Sequence, residues 1–261
     1  MVASIRIPAT PELHYLLRLS DTCLILGQRL GEWCGHAPIL EEDIALSNMA
    51  LDLIGQSRAL LTLAGQRSGQ CGGEGYDEDQ LAFLRDEIDY CNPTLAELPR
   101  GDFAFTVLRN TIFATWLKLM WERLRDSSDA ELAAIAGKAL KEARYHQQHA
   151  ADWAVRLGDG TDESRRRSEA ALVQVWLYTP ELFEDDAVDA AAVAAGLGPA
   201  WSQLHEPWLA EMGEILGEAK LSMPGEAAFR STGKRGLHSE HMGYLLAEMQ
   251  YLQRTYPGGA W

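Results

Sequence analysis

The apolar positions of this chain recur every three or four residues, which is the spacing of amphipathic helices. A first periodic stretch covers residues 10–34. Thr10 followed by proline favours a helix start there, because the hydroxyl accepts from first-turn amides and proline needs no amide partner. A second stretch covers residues 41–64, and the glycine-rich segment 65–75 that follows predicts the end of that helix.

Two more long helices are predicted in the middle of the chain. Asp102 is a candidate N-cap for a third helix that reaches about Arg125. Ser128 and Glu131 have the spacing of a capping box, in which each side chain accepts a hydrogen bond from the backbone amide of the other residue. This pattern predicts a fourth helix that ends near Leu157.

Shorter helical segments fill the rest of the chain, and no segment alternates apolar and polar residues as a half-buried strand does. Four long amphipathic helices bury their apolar faces most simply as an antiparallel bundle. We therefore predict an all-α fold, a ferritin-like four-helix bundle with additional C-terminal helices, as a single domain over residues 1–261. The shorter helices are expected at residues 79–91, 162–178, 187–197 and 199–220, and after Ser239.

Charge and composition exclude several classes of partner. The 38 acidic residues outnumber the 23 lysines and arginines, so the net charge of −15 repels nucleic acid and anionic membranes. The amino terminus lacks the pattern of a signal peptide, and no apolar run approaches the length of a bilayer. The cysteines are scattered without a C-x-x-C pair, as in chains whose thiols stay reduced. The sequence therefore predicts a soluble, cytoplasmic protein.

Bundles of long helices often hold two metal ions, through a lone Glu from each of two helices and an E-x-x-H pair from each of the others. The pair works because residues three apart share a helix face. This chain contains no E-x-x-H, and its third long helix has no acid between Asp102 and Glu122. An unpaired buried carboxylate costs on the order of several kcal/mol, so neutral residues are expected where no metal binds. We therefore predict a protein that supports a partner and performs no chemistry itself.

Three stretches of the sequence resemble the C subunits of the ring 1,2-phenylacetyl-CoA epoxidases, also called phenylacetate-CoA oxygenases. The likeness extends from the first helix to Trp261. It implies a bacterial, NADPH-dependent monooxygenase complex of phenylacetate catabolism, a pathway of aromatic compound degradation. In that complex a related A subunit holds the di-iron site and binds the CoA thioester. The stretches are NMALDLIGQSRALL at 48–61, KEARYHQQHAADWAVRLGDGTDES at 141–164 and GKRGLHSEHMGYLLAEMQYLQRTYPGGAW at 233–261.

The resemblance also implies which positions have lost their metal ligands. In the second helix, Leu53 and Gln56 stand where the catalytic subunit has the Glu and His of its D-E-x-x-H motif. In the fourth long helix Ala143 replaces the Glu of the other pair, and His146 remains. Both pairs are therefore incomplete.

The lone carboxylates of the other two helices correspond to Cys23 and Ala114. The resemblance thus implies no catalytic, cofactor-binding or metal-ligating residue in this chain, and no cofactor bound by it. The implied partners are the catalytic A subunit, which carries the di-iron centre, and the other subunits of the complex. The chain is expected in a homodimer or in a heterotetrameric core.

Two other functions remain open at this point. The first is an active di-metal oxygenase with unconventional ligands, for which Asp52, Glu142, His146 and His149 are the candidates. The second is a free-standing helical binding module. Metal analysis of the purified chain separates the first alternative from a supporting subunit, and co-purification with the catalytic subunit separates the second.

Three further motifs are interpreted as structural. His238 and His241 form an H-x-x-H beside which no other ligand helix is implied, so buried or surface histidines are favoured over a metal site. The arginines at 165–167 are interpreted as a solvated helix face. The segment 225–236 lacks the spacing of a phosphate-binding loop and is expected to be a flexible basic loop.

Overall fold

A computed structural model describes residues 5–259, and the regular structure of this part of the chain is helical. Residues 1–4 and 260–261, with the Trp261 of the sequence likeness, lie outside the described residues. No strand forms between residues 5 and 259, where Thr232 and Leu237 make an isolated β-bridge, so the all-α prediction is confirmed. The α-helices are α1 (Pro11–Gly31), α2 (Leu40–Gln70), α3 (Glu78–Phe83), α4 (Thr94–Glu97), α5 (Phe103–Leu124), α6 (Ala130–Gly158), α7 (Asp162–Trp176), α8 (Ala187–Ala194), α9 (His205–Glu218), α10 (Glu240–Met249) and α11 (Tyr251–Thr255).

The chain divides into two compact units. Unit 1 contains the described residues up to 34, residues 44–99, and those from 232 onward. Unit 2 contains residues 35–43 and 100–231. The prediction of a single domain stays a prediction. None of the helices in the described part of the chain is long and apolar enough to cross a membrane.

In unit 1, α1 approaches α2 closely at Gly27. Thr10 accepts a hydrogen bond from the amide of Leu13, at 3.3 Å, so the predicted start of α1 is confirmed. A methyl group on Gly27 would lie 3.2 Å from the carbonyl oxygen of Ala50, which shows how near the two helices run. The helix pair therefore needs a small residue at that point.

The predicted end of α2 near residue 64 is wrong, because the helix continues to Gln70. Gly65 lies inside the helix, and a Cβ there would come within 1.9 Å of the carbonyl oxygen of Tyr76. This glycine permits the returning chain to pack against α2 and does not terminate the helix. Its role depends on a tertiary contact that the local sequence does not show.

The predicted helix at 79–91 is also wrong in its second half. The segment forms α3 and then a 3₁₀ turn at Glu87–Asp89, and the short helix α4 after Pro93 was not predicted. Arg85 lies between the two elements and is fully buried. A continuous helix would not bring Arg85 and the backbone of Cys91 to one buried carboxylate, described below.

Unit 2 is built around the long pair α5 and α6, with α7 and α9 packed against it. Trp116 of α5 is buried and donates from Nε1 to the carbonyl oxygen of Leu182, at 3.2 Å. Trp208 of α9 donates in the same way to the carbonyl oxygen of Ile112, at 3.1 Å. These tryptophans anchor the core of unit 2.

The helix starts in unit 2 show one confirmed and one wrong prediction. Asp102 accepts from the amide of Phe105, at 2.9 Å, and caps α5 as predicted. The capping box of Ser128 and Glu131 is wrong, because Asp129 is the N-cap of α6 and accepts from the amide of Glu131 at 2.9 Å. The hydroxyl of Ser128 instead donates to the carbonyl oxygen of Ala195.

The remaining helices lie where the sequence places them, with shorter ends. α7 and α8 stop before residues 178 and 197, and the predicted helix at 199–220 splits into a 3₁₀ turn, Trp201–Leu204, and α9. Ser239 caps α10 by accepting from the amide of His241, as expected from its position.

Candidate functional site

Three of the positions that the sequence resemblance implies to have lost metal ligands lie in unit 1, on α1 and α2. Cys23, Leu53 and Gln56 are all buried. The thiol of Cys23 donates to Oε1 of Gln56, with 3.7 Å between sulfur and oxygen. Cys23 of α1 and Gln56 of α2 are therefore in direct contact, and the contact is between two neutral groups.

The other three positions of the ligand set that the resemblance implies lie in unit 2, on the packed pair α5 and α6. Ala114, Ala143 and His146 are buried. Next to them, Nε2 of Gln147 donates to the hydroxyl of Thr115 at 3.1 Å, which fixes the register of the two helices at this level. The side chains at 114 and 143 are methyl groups, so among these three positions only the imidazole of His146 has atoms that could bind a metal.

These side chains do not fit a di-iron centre. Two ferrous ions bring a charge that carboxylates normally balance, and the six positions supply one imidazole, one amide, one thiol and three apolar groups. Among residues 5–259 no group of three or more His, Cys, Asp or Glu side chains is arranged to hold a metal ion. These six side chains therefore lack the carboxylates with which helical bundles usually bind two metal ions.

The alternative ligand set of Asp52, Glu142, His146 and His149 is not assembled into such a group within the described chain. His149 instead lies beside Glu42 of α2, with 2.9 Å between Nε2 and Oε2. The two atoms lack the alignment of a hydrogen bond. Sequence reasoning missed Glu42, because a first-turn glutamate ordinarily stabilises its own helix.

The two histidines of the H-x-x-H motif lie at the start of α10 and make different contacts. His238 lies with Nδ1 2.6 Å from Oε2 of Glu97 and with Nε2 2.9 Å from the carbonyl oxygen of Tyr90. A carbonyl oxygen only accepts, so Nε2 carries a proton. His241 is partly exposed and near its neighbour Glu240. Neither histidine shares a metal-binding group with two other donors of the described chain.

Glu97 gathers several donors around His238. Its carboxylate accepts from Nδ2 of Asn92 at 2.9 Å and from the amide of Ser239 at 2.5 Å. Burial lowers the pKa of His238, but the hydrogen bond and the charge of Glu97 outweigh that effect, so the pKa is raised. This cluster fastens the start of α10 to α4.

A buried ion pair in unit 1 was not predicted. Asp21 of α1 and Arg85 are both fully buried and face each other in a two-point contact, with Nη1 to Oδ2 at 2.9 Å. The amide of Cys91 donates to the same carboxylate at 2.9 Å, and the guanidinium of Arg85 stacks on the ring of Tyr90 at 4.2 Å. Burial acts to lower the pKa of Arg85, but Asp21 holds it above the usual value.

The two basic motifs of the sequence, residues 165–167 and 225–236, lie in different surroundings. Arg166 and Arg167 pair with Glu163 on the exposed face of α7, and their interpretation as a solvated face stays a prediction. The expected flexibility of segment 225–236 is wrong for its last part, where Gly233–Arg235 forms a packed 3₁₀ turn. A Cβ on Gly233 would lie 2.6 Å from the carbonyl oxygen of Asn92, and Lys234 is buried. This tertiary packing cannot be inferred from a lysine–arginine pair between glycines.

Two comparisons with known proteins place this arrangement in context. A family model described as "Phenylacetic acid catabolic protein" matches residues 5–261. The chain is also 49% identical over 247 residues to the C subunit of the 1,2-phenylacetyl-CoA epoxidase of Escherichia coli (strain K12). That alignment covers 95% of this chain and 98% of the relative.

Proposed function

Because this chain belongs to the family of phenylacetic acid catabolic proteins, we propose that it is the non-catalytic structural subunit of a multicomponent 1,2-phenylacetyl-CoA epoxidase. The fold class is the one predicted from the sequence, all-α and ferritin-like. In this role the chain packs against the di-iron catalytic A subunit and keeps that subunit soluble and correctly shaped. The oxygen chemistry of aerobic phenylacetate catabolism then belongs to the partner.

The observation that carries this proposal is the donor set at the vacated positions. Cys23 contacts Gln56 where a carboxylate and an imidazole would be needed, and alanines replace the acids of α5 and α6. Buried metal sites in such bundles require carboxylates to balance the charge of the ions. We propose that the chain keeps the helical fold of the catalytic partner without its ligands and binds no cofactor.

The exposed face of α2 supports a helical partner. Ile44 and Leu51 are exposed and lie two turns apart on this face, and Leu51 exposes 65% of its surface. Gly55 follows one turn later, and a Cβ there would meet no described atom within 4 Å. Glycine inside a helix costs about 1 kcal/mol relative to alanine, and nothing in the described chain requires it here. Close approach by the catalytic subunit accounts for it.

The proposed assembly is cytoplasmic and contains this chain, the catalytic A subunit and the further subunits of the complex. Electrons come from NADPH through a reductase subunit, and the di-iron centre lies in the A subunit. We propose a homodimer or a heterotetrameric core of this chain with the A subunit. The acidic surface of the chain disfavours nucleic acid and anionic lipid as partners.

A pull-down with iron quantification tests the proposal. The tagged chain is co-expressed with the catalytic subunit and passed over a size-exclusion column, and iron is measured in the complex and in each chain alone. We expect one stable complex whose iron belongs to the catalytic subunit. About two irons per copy of this chain alone would contradict the proposal, as would elution of the two subunits as separate species.

A further inference from the structure

Glu42, in the first turn of α2, is a buried carboxylate without a hydrogen bond to its Oε2 atom. Its side chain exposes only 9% of its surface. Among the described residues no donor forms a hydrogen bond with Oε2, although Nε2 of His149 lies 2.9 Å away. Nearly all buried polar groups are hydrogen-bonded, because leaving one unsatisfied is costly, and most costly for a charged group. Within unit 2, Glu42 therefore lacks the hydrogen bond that its burial requires.

The two acids next to Glu42 have different surroundings. Glu41, Glu42 and Asp43 all lie in the first turn of α2, where the helix dipole favours negative charge. Oδ2 of Asp43 accepts from the amides of Gly35 and Ala37, at 2.7 Å and 3.4 Å. Glu41 is exposed and is solvated by water. Glu42 is neither bound by backbone amides nor open to solvent over most of its surface.

Large apolar side chains are exposed near Glu42 and His149. At the start of α2, Ile39 is exposed and Leu40 exposes 72% of its surface. On α6, Tyr145 precedes His149 by one turn, exposes 56% of its surface, and has its ring centroid 6.2 Å from that of the imidazole. A buried polar group surrounded by aromatic and aliphatic side chains is typical of the centre of a protein interface, where the apolar groups exclude water.

We propose that Glu42 binds a cationic side chain of the catalytic subunit, a lysine or an arginine, with Leu40 and Tyr145 packed around the contact. The charge of this side chain follows from the carboxylate, because an acid would be repelled and an apolar group would leave the charge unpaired. Leu40 precedes Ile44 by one turn of α2, so the contact continues the helix face already proposed to bind the catalytic subunit. The inference rests on the proposed function and names the residue that anchors the contact.

Calorimetric titration of the catalytic subunit with the full chain tests the proposal. Glu42→Gln keeps the size of the side chain and removes its charge, so it should weaken binding at least about tenfold. Glu41→Gln makes the same change of charge at the exposed neighbour and should alter the affinity less than about twofold. Thermal melts of the isolated chains establish that both variants are folded. Glu42→Met, an apolar side chain of similar length, is a second variant with the same expected loss of binding.

A double-mutant cycle identifies the residue that pairs with Glu42. Each surface lysine and arginine of the catalytic subunit is changed to Gln and titrated with the parent chain and with Glu42→Gln. One of these changes should weaken binding of the parent about tenfold and have little further effect on binding of Glu42→Gln, because residues in contact are not additive. The proposal is overturned if every such change is additive with Glu42→Gln, or if Glu42→Gln binds as the parent does.

The parent chain separates this inference from the proposed function. No binding of the parent to the catalytic subunit would refute the supporting role and the inference together, whereas equal binding by the parent and Glu42→Gln would refute the inference alone. Stoichiometric zinc binding to the isolated chain, lost in His149→Gln, would overturn the inference in favour of a metal site. Self-association of the isolated chain, lost in Glu42→Gln, would overturn it in favour of a second copy as partner.

Discussion

Two nearby buried positions of α1 differ in charge: one holds a carboxylate with a basic partner, and the other holds a neutral thiol. Asp21 is a buried carboxylate, and the chain surrounds it with Arg85 and the amide of Cys91. Cys23, two residues later, points to another side of the helix and meets the neutral amide of Gln56. The chain keeps a buried charge where it supplies the countercharge itself. At the position implied to have held a metal ligand, it has a neutral group.

The same contrast holds between the buried carboxylate of Glu97 and the buried alanines of α5 and α6. Glu97 is buried with His238, Asn92 and the amide of Ser239, so its charge is balanced by hydrogen bonds and a basic partner. Ala114 and Ala143 are buried methyl groups that need no partner. Breaking a buried ion pair is costly, whereas an apolar replacement of a complete charged cluster is often tolerated. Replacing all the carboxylates of the ligand set together, and not a single one, is therefore a physically reasonable route to a supporting subunit.

The largest expected effect comes from restoring the acids. The combined changes Cys23→Glu, Leu53→Glu, Gln56→His, Ala114→Glu and Ala143→Glu restore the ligand set that the resemblance implies. Without metal, the buried carboxylates should destabilise the chain by on the order of several kcal/mol. Ferrous iron should raise the melting temperature of the variant and leave the parent unchanged, since a metal that binds only the native state stabilises it.

Paired thermal melts and iron content per chain measure this prediction. Substituting the same positions with Gln in place of Glu gives a control of similar size that lacks the negative charge. A variant that is as stable as the parent and indifferent to iron would show that the vacated positions never formed one site.

A second large effect is expected at the retained charge. Asp21→Ala leaves Arg85 buried without its partner and should lower the free energy of unfolding by about 3–5 kcal/mol. Urea denaturation measures the change. The paired substitution Asp21→Leu with Arg85→Met removes both charges and should recover part of the loss. If the single variant were as stable as the parent, the comparison between Asp21 and Cys23 would lose its basis.

Local sequence signals predicted the parts of the fold that depend on neighbouring residues. Thr10 and Asp102 cap helices in the structure as their positions predict, because a cap involves only the next three residues. Gly65 was misinterpreted as a helix end, because its reason for being glycine is the carbonyl of Tyr76. A contact made by returning chain leaves no local periodic signal.

The same limit applies to the candidate sites. The absence of E-x-x-H pairs could be read directly from the sequence, because the two ligands of a pair share one helix. The pair of Asp21 and Arg85 joins residues 64 positions apart. No spacing rule connects these residues, so the buried ion pair could be recognised only in the structure.

A pH dependence is expected from His238, because its pKa is raised in the folded protein. Such a group contributes its full stabilisation below the unfolded pKa, near 6.5, and loses it as the pH rises through the folded pKa. His238→Gln should therefore lower the free energy of unfolding by about 1.5–3 kcal/mol at pH 6, with a smaller difference at higher pH. Urea melts between pH 6 and pH 9 test this. The parent chain, measured over the same pH range, is the control.

His146 tests whether the remaining histidine has any function. His146→Gln changes one buried imidazole of α6 to an amide of comparable length, so a loss of about 1–2 kcal/mol in stability is expected. The epoxidase activity of the reconstituted complex should remain near that of the parent, because one imidazole cannot hold two irons. Loss of activity in a fully assembled complex would assign this histidine a role in the reaction.

The smallest expected effect on stability concerns two glycines of the long helices, and one of them is also expected to affect assembly. Gly55 of α2 and Gly137 of α6 both lie inside helices, and a Cβ on either meets no described atom within 4 Å. Replacing either glycine by Gln should raise the free energy of unfolding of the isolated chain by about 0.5–1 kcal/mol, through helix propensity alone.

The two substitutions should differ in the complex. Gly55 lies on the face of α2 that exposes Ile44 and Leu51, so Gly55→Gln should weaken binding to the catalytic subunit at least about tenfold, although the chain itself becomes more stable. Gly137→Gln lies on another helix and should leave binding unchanged. Size-exclusion titration with the catalytic subunit measures both. Equal binding by the two variants would mean that this glycine is not explained by a partner, and that the contact face lies elsewhere on the chain.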